Sequence, residues 1–189
     1  VATKNDALAV GVVGFGLGAA AALAAIGREK GGAEVIRVFS GDSEGGSGFI
    51  EIPPLSVKRL RFVVAVQPAS MGVLLRRYLR STAGPLGWVL PPLVDQFCQW
   101  RGGYPLTATY LLKAVQAVHL PVLYLQARTD LWGDCREVQT LYNATPDPKQ
   151  LHWIEEPLGR LETYAYVTEQ PATVLAFATQ QVSQILTSQ

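Results

Sequence analysis

Apolar positions in this chain come in short unbroken runs, separated by segments of helical period or by glycine, proline and serine. The run that organises the pattern is residues 8–27, LAVGVVGFGLGAAAALAAIG. It opens on the β-branched Val10, Val12 and Val13, passes glycines at alternate positions (Gly14, Gly16, Gly18) and continues in alanine. That order predicts a buried strand, a tight turn and a helix. Glycine suits so sharp a turn because it tolerates positive φ, and small residues let the helix lie directly on the sheet. Such a turn aims backbone N–H groups and a helix N-terminus at one point. Gly14, Phe15, Gly16, Leu17 and Gly18 are therefore candidate ligand-binding residues for an anion or oxyanion.

Further runs follow the same logic. Residues 61–67 (RFVVAVQ), 120–127 (LPVLYLQA) and 150–155 (QLHWIE) predict strands, while 73–80, 107–118, 137–143 and 171–186 predict helices. The first helix is expected to end near Gly31 and Gly32. Residues 34–39 and 49–52 predict short strands around a Gly- and Ser-rich loop. They form either an inserted hairpin or, for 34–39, a parallel strand of the main sheet. Residues 81–105 are rich in Gly, Pro and Trp and predict a loop excursion with a short helical piece at 93–100. Strands alternating with helices imply an α/β, three-layer fold: a mainly parallel sheet with right-handed crossovers and helices on both faces. Functional groups in such a sheet gather at the carboxyl ends of the strands.

Composition narrows the class. The chain has 189 residues, enough for a single domain spanning residues 1–189, and 49% of them are hydrophobic against 16% charged, as for a sheet buried on both faces. A net charge of +1 gives no reason to expect nucleic acid or an anionic membrane as partner. Cys98 and Cys135 have no metal-ligand or redox-motif spacing and suit a reducing, cytoplasmic setting, and neither a metal nor a cofactor is expected. The uncharged stretch 7–27 contains Gly14-x-x-x-Gly18, the spacing of a membrane helix dimer. Glycines crowding its middle and flanks without aromatic anchors argue against a span or a signal peptide. The chain starts at Val1 rather than methionine, leaving room for an upstream segment.

In their order, these elements and loop residues resemble the second half of an α/β-hydrolase, particularly the dienelactone-hydrolase-like branch. Gly14-Phe15-Gly16-Leu17-Gly18-Ala19 resembles the nucleophile elbow, G-x-S-x-G before a small-residue helix. RFVVAVQPASMG resembles the next strand, and LPVLYLQARTD the strand that delivers the acid. LHWIEEPLGRLETYAYVTEQPATVLAF resembles the final strand, histidine loop and last helix. The resemblance implies Asp130 as the acid, but Gly16 stands where the nucleophile belongs and Gly159 or Arg160 where the histidine belongs. Neither glycine nor arginine can replace a hydroxyl and its imidazole base.

A second alignment to the same family makes Pro68-Ala69-Ser70-Met71-Gly72 the elbow and Gly14–Gly18 the oxyanion loop. It supplies catalytic candidates Ser70, Asp130 and, as the nearest base, His152. Each has an ordinary structural reading too: Ser70 as a helix N-cap, Asp130 as an Asx turn, His152 as a hydrogen-bonded strand residue. His119 reads as a surface or helix-end residue. Trp88, Trp100, Trp132 and Trp153 read as core or as the lining of an apolar pocket. Gly14-x-Gly16-x-x-Ala19 also fits a dinucleotide fingerprint, with Asp42 as a late-arriving ribose ligand.

The resulting expectation is a catalytically degenerate α/β-hydrolase-like protein, a pseudoenzyme, incomplete or minimal relative to the full fold. It would bind a small apolar ligand or ester, or a partner: a second copy or a companion chain covering the edge of strand 10–13. The alternatives are a carboxylic-ester serine hydrolase using Ser70 and Asp130, and dinucleotide binding at the Gly14–Ala19 turn.

Overall fold

A computed structural model of the chain describes residues 10–28, 36–41, 47–52, 60–102 and 109–187. Strands β1 (Val10–Phe15), β4 (Leu60–Val66), β5 (Val122–Ala127) and β6 (Lys149–Ile154) form one four-stranded sheet in the order β1-β4-β5-β6. Every pairing is parallel, with Val13 opposite Val64, Val64 opposite Leu123, and Leu123 opposite Gln150. Strands β2 (Ile36–Gly41) and β3 (Ser47–Ile52) pair antiparallel in a separate two-stranded sheet, so this segment is the inserted hairpin.

The helices are α1 (Leu17–Arg28), α2 (Met71–Thr82), α3 (Leu90–Gly102), α4 (Thr109–Val115), α5 (Cys135–Ala144), α6 (Arg160–Glu169) and α7 (Ala172–Thr187). Side chains alternate across the central strands, so β4 and β5 feed two cores. Val63, Ala65, Val122 and Tyr124 pack with Ala19 and Leu23 of α1, Leu111 of α4 and Val138 and Leu141 of α5. On the opposite face Phe62, Val64, Leu123 and Leu125 pack with Val167 of α6 and Phe177 of α7. All six residues of β5 are buried, as the unbroken apolar run 120–127 requires. Gly14 lets α1 approach this closely, because a Cβ there would lie 2.6 Å from the Ala19 Cα.

Three local expectations need correction. The excursion at 81–105 is mostly helical among its described residues: a 3₁₀ turn at Gly84–Trp88 leads into α3. Pro91 and Pro92 do not break α3 because they occupy its first turn, where an absent N–H costs no intrahelical bond. Helix α6 starts at Arg160, after a short connection at residues 155–159, where the sequence suggests only a loop. Finally, Trp88, Trp100 and Trp132 are exposed rather than core, with Arg80 lying over the Trp88 ring and Tyr78 stacked on Trp132. The expected first-helix end at Gly31 and Gly32 lies outside the described residues, as do most of the loop after β2 and Asp42. Among the described residues no helix is long and apolar enough to cross a membrane; residues 10–27 of the uncharged stretch are divided between β1, the turn at Gly16 and α1.

Candidate functional site

The carboxyl ends of the four parallel strands lie at one end of the sheet, and the buried polar residues Gln67, Ser70, Gln126 and Asp130 lie at or just after the ends of β4 and β5 there. Gly16 makes the turn between β1 and α1 with φ of +54°, and its N–H donates to the Val66 carbonyl. A positive φ at this point is the reason glycine is tolerated where most side chains are strained. A Cβ at Gly16 would stand 2.5 Å from the Tyr164 hydroxyl and 3.3 Å from Arg160 Nη2. The tyrosine hydroxyl thus fills the space a nucleophile's side chain would need, while the Tyr164 ring packs edge-on against Phe15.

Arg160 is held on three sides. Its Nη1 donates to Asp130 Oδ2 at 3.2 Å, its Nη2 to the Gln67 carbonyl at 2.9 Å, and its Nε to the Tyr164 hydroxyl at 2.7 Å. The position is fixed locally: Gly159 caps α6, its N–H donating to Glu162 Oε2 at 2.7 Å, so Arg160 is the first helical residue and Tyr164 follows one turn later. Asp130 closes the arrangement from the loop after β5, where its Oδ1 accepts from the Trp132 N–H at 2.9 Å in an Asx turn. The guanidinium is permanently charged and donor-only, so it cannot act as a base.

The residues of the first alignment therefore meet: Gly16, Asp130 and Arg160 surround one point. Those of the second are placed apart. Ser70 is the N-cap of α2, accepting from the Val73 N–H at 3.3 Å and donating to Glu137 Oε1 at 2.8 Å. Its φ of −73° is ordinary extended backbone; the strained residue of that turn is Gln67, at +46°. His152 sits inside β6, level with Leu125, exposed on the sheet face that carries α6 and α7. Two strand spacings, roughly 10 Å, separate β6 from β4. Asp130 hydrogen-bonds to Arg160 and Trp132, not to an imidazole. The strand expected to follow a dinucleotide turn, β2, belongs to the hairpin rather than to the sheet holding β1.

Sequence reasoning did not single out Tyr164, Glu137, Gln67 or Gln126. The four-residue spacing of Arg160 and Tyr164 within a Gly-x-x-Glu-capped helix was the available signal for the first. Glu137 is half-buried, and burial pushes its carboxyl above the ordinary range despite the hydrogen bond from Ser70.

No protein-family model matches the chain, and no curated protein matches it by sequence. Solved structures do. An esterase from Pyrococcus furiosus superposes with a TM-score of 0.57 at 19% identity, over 92% of this chain and 55% of its own. The esterase domain of a Rhodothermus marinus protein gives 0.52 at 19% identity, over 91% and 60%. An acetyl xylan esterase from Paenibacillus gives 0.52 at 15% identity, over 90% and 46%. This is an α/β-hydrolase fold. The chain spans about half the length of these α/β-hydrolase-fold neighbours, and the parallel sheet with helices on both faces is the part it shares with them.

Proposed function

We propose that this chain is a catalytically degenerate α/β-hydrolase-fold protein that binds a small ligand or partner at the Gly14–Gly18 turn. One observation carries the reading: Arg160, paired to Asp130, stands against Gly16 together with the Tyr164 hydroxyl. A nucleophile and a base are replaced there by a cation and a filled space. What remains favours an anion. The first N–H groups of α1 have no intrahelical acceptor, and three of the five guanidinium N–H donors are committed to Asp130, Gln67 and Tyr164. A ligand carboxylate between Gly18, which has open space around it, and Arg160 matches this chemistry.

Titration with benzoate, observed at the backbone amides of Leu17 and Gly18, tests the reading. Saturable shifts that weaken in Arg160→Lys are expected; unmoved amides at millimolar benzoate contradict it. The cytoplasm is the compartment proposed for this activity. A companion strand, from a second copy or another chain, is proposed along β1, the sheet edge at which Val10 and Val13 are 39% and 45% exposed.

The second reading is ester hydrolysis with Ser70 as nucleophile. It is favoured by the bond from the Ser70 hydroxyl to Glu137, a carboxylate whose raised pKa brings it towards the range of a general base. The esterases among the structural neighbours are compatible with it.

A further inference from the structure

Helix α3 turns an apolar side to solvent. Among its described side chains only Pro91 is buried, and Val94 and Cys98, which share that side one and two turns on, are half-buried. This is the side on which α3 packs against α2 and the 3₁₀ turn. Leu93, Phe97 and Trp100 lie on the opposite side at the i, i+4, i+7 spacing of one helix face, and all three are exposed, Trp100 to 79%. The Phe97 and Trp100 rings meet edge-on with centroids 6.0 Å apart. The 3₁₀ turn adds exposed Leu86 and Trp88. A helix that is apolar on both sides is ordinarily buried; this one is covered on one side only.

Charge on this unit is one-sided. Residues 71–102 carry four arginines and a single carboxylate, Asp95, a basic segment that the whole chain's net charge of +1 conceals. Two of the arginines engage α5 or the residue before it: Arg77 pairs with Asp134 at 3.6 Å, and the Arg76 charge favours the Glu137 carboxylate. The other two are exposed beside tryptophans. The Arg80 guanidinium lies 3.8 Å from the centroid of the Trp88 ring, and Arg101 follows Trp100.

We propose that this face seats the protein on an anionic lipid surface. Leu93, Phe97 and Trp100 enter the boundary between headgroups and acyl chains, while Arg80 and Arg101 meet lipid phosphates. Charge complementarity selects the occupant. Indole rings settle at headgroup level, and a guanidinium answers a phosphate with paired hydrogen bonds. A second copy fits less well, because a two-fold contact repeats one patch on both sides and would set the same arginines against each other. The seating is peripheral: the 13 residues of α3 lie along the surface and are too few to cross it. It uses none of the residues at the Gly16 turn and does not depend on what that turn binds.

Co-sedimentation of the chain with sucrose-loaded vesicles of phosphatidylcholine, alone or mixed with phosphatidylglycerol, tests the proposal. The mixed vesicles are expected to carry the chain down at about 0.1 M salt and far less at about 1 M, where the screening length falls to about 3 Å. Phosphatidylcholine alone should carry little. Phe97→Ser/Trp100→Ser is expected to weaken binding to mixed vesicles by about tenfold or more, and Arg80→Gln/Arg101→Gln by about tenfold. All four side chains are exposed, so melts followed by circular dichroism should stay near wild type. The proposal is overturned if mixed vesicles bind no chain, if neutral vesicles bind as much, or if Phe97→Ser/Trp100→Ser binds like wild type. Sedimentation velocity without lipid gives a further arm: a wild-type dimer dispersed by Phe97→Ser/Trp100→Ser would assign the face to a second copy and overturn it too. Should either variant not fold, the lipid and salt comparisons on the wild-type protein decide alone.

Discussion

Arg160 Nη1 and Asp130 Oδ2 form an ion pair of 3.2 Å in which the Asp130 side chain is fully buried and that of Arg160 is 12% exposed. Two charges removed from water are tolerable only as long as each has the other. Arg160→Met is therefore expected to destabilise the chain by about 3–5 kcal/mol, because it strands the Asp130 carboxylate. The double variant Arg160→Met/Asp130→Leu should recover most of that loss. Urea unfolding midpoints of the three proteins check this; a double variant no more stable than Arg160→Met would show that the pair is not the coupling.

Gly16 gives a sterically specific expectation. A serine there meets both an unfavourable φ and the Tyr164 hydroxyl, so Gly16→Ser should cost about 1–3 kcal/mol. Adding Tyr164→Phe removes the clashing hydroxyl and should return part of the stability. Thermal melts of the single and double variants measure the coupling. Additive effects would place Tyr164 away from the turn.

Glu137 predicts a pH dependence with a definite sign. Its folded-state pKa is raised, chiefly by burial, so between the unfolded and folded values the native chain binds more protons than the unfolded one. Stability then falls as pH rises through that window. Glu137→Gln keeps an acceptor for Ser70 without the buried charge. Its stability relative to wild type should be least favourable in acid and improve as pH rises to neutrality. Urea midpoints measured for both proteins from acid to neutral pH check this, and a constant difference would contradict it.

Leu23 tests the packing of α1 on the sheet. It is fully buried among Val63, Tyr124 and their neighbours, so Leu23→Ala should cost about 2–5 kcal/mol. Chemical denaturation measures it, and a loss well under about 1 kcal/mol would mean that this helix is not seated on the core.

Much of this architecture was legible because buried parallel strands leave unambiguous apolar runs. LPVLYLQA reads as a strand buried on both faces, and LAVGVVGFGLGAAAALAAIG as strand, turn and helix; both are found so. Residues 93–100 read as helix and lie within α3, but Pro91 and Pro92 obscured its start, because their meaning depends on whether they fall inside a helix or in its first turn. Helix α6 begins on a glycine N-cap and carries a mixed surface, so its local signal is confined to the Gly159-x-x-Glu162 cap, without an apolar period to support it. At the site, the resemblance placed Gly16 and either Gly159 or Arg160 at the substituted positions and Asp130 at the retained one. It could not show that Arg160 bonds to Asp130, nor that Tyr164 fills the vacated space, because both are contacts between distant segments. Gln67 and Gln126 were invisible for a related reason: a glutamine at a strand end is ordinary until its burial is known.

If the proposed function holds, Ser70 is not an activated nucleophile, and labelling with a serine-reactive fluorophosphonate decides the matter. Wild type and Ser70→Ala are compared side by side. Neither protein is expected to be labelled, with Ser70 confined to capping α2 and bonding Glu137. Wild-type labelling that disappears in Ser70→Ala would contradict the proposed function, establishing Ser70 as a nucleophile and the esterase reading as the correct one.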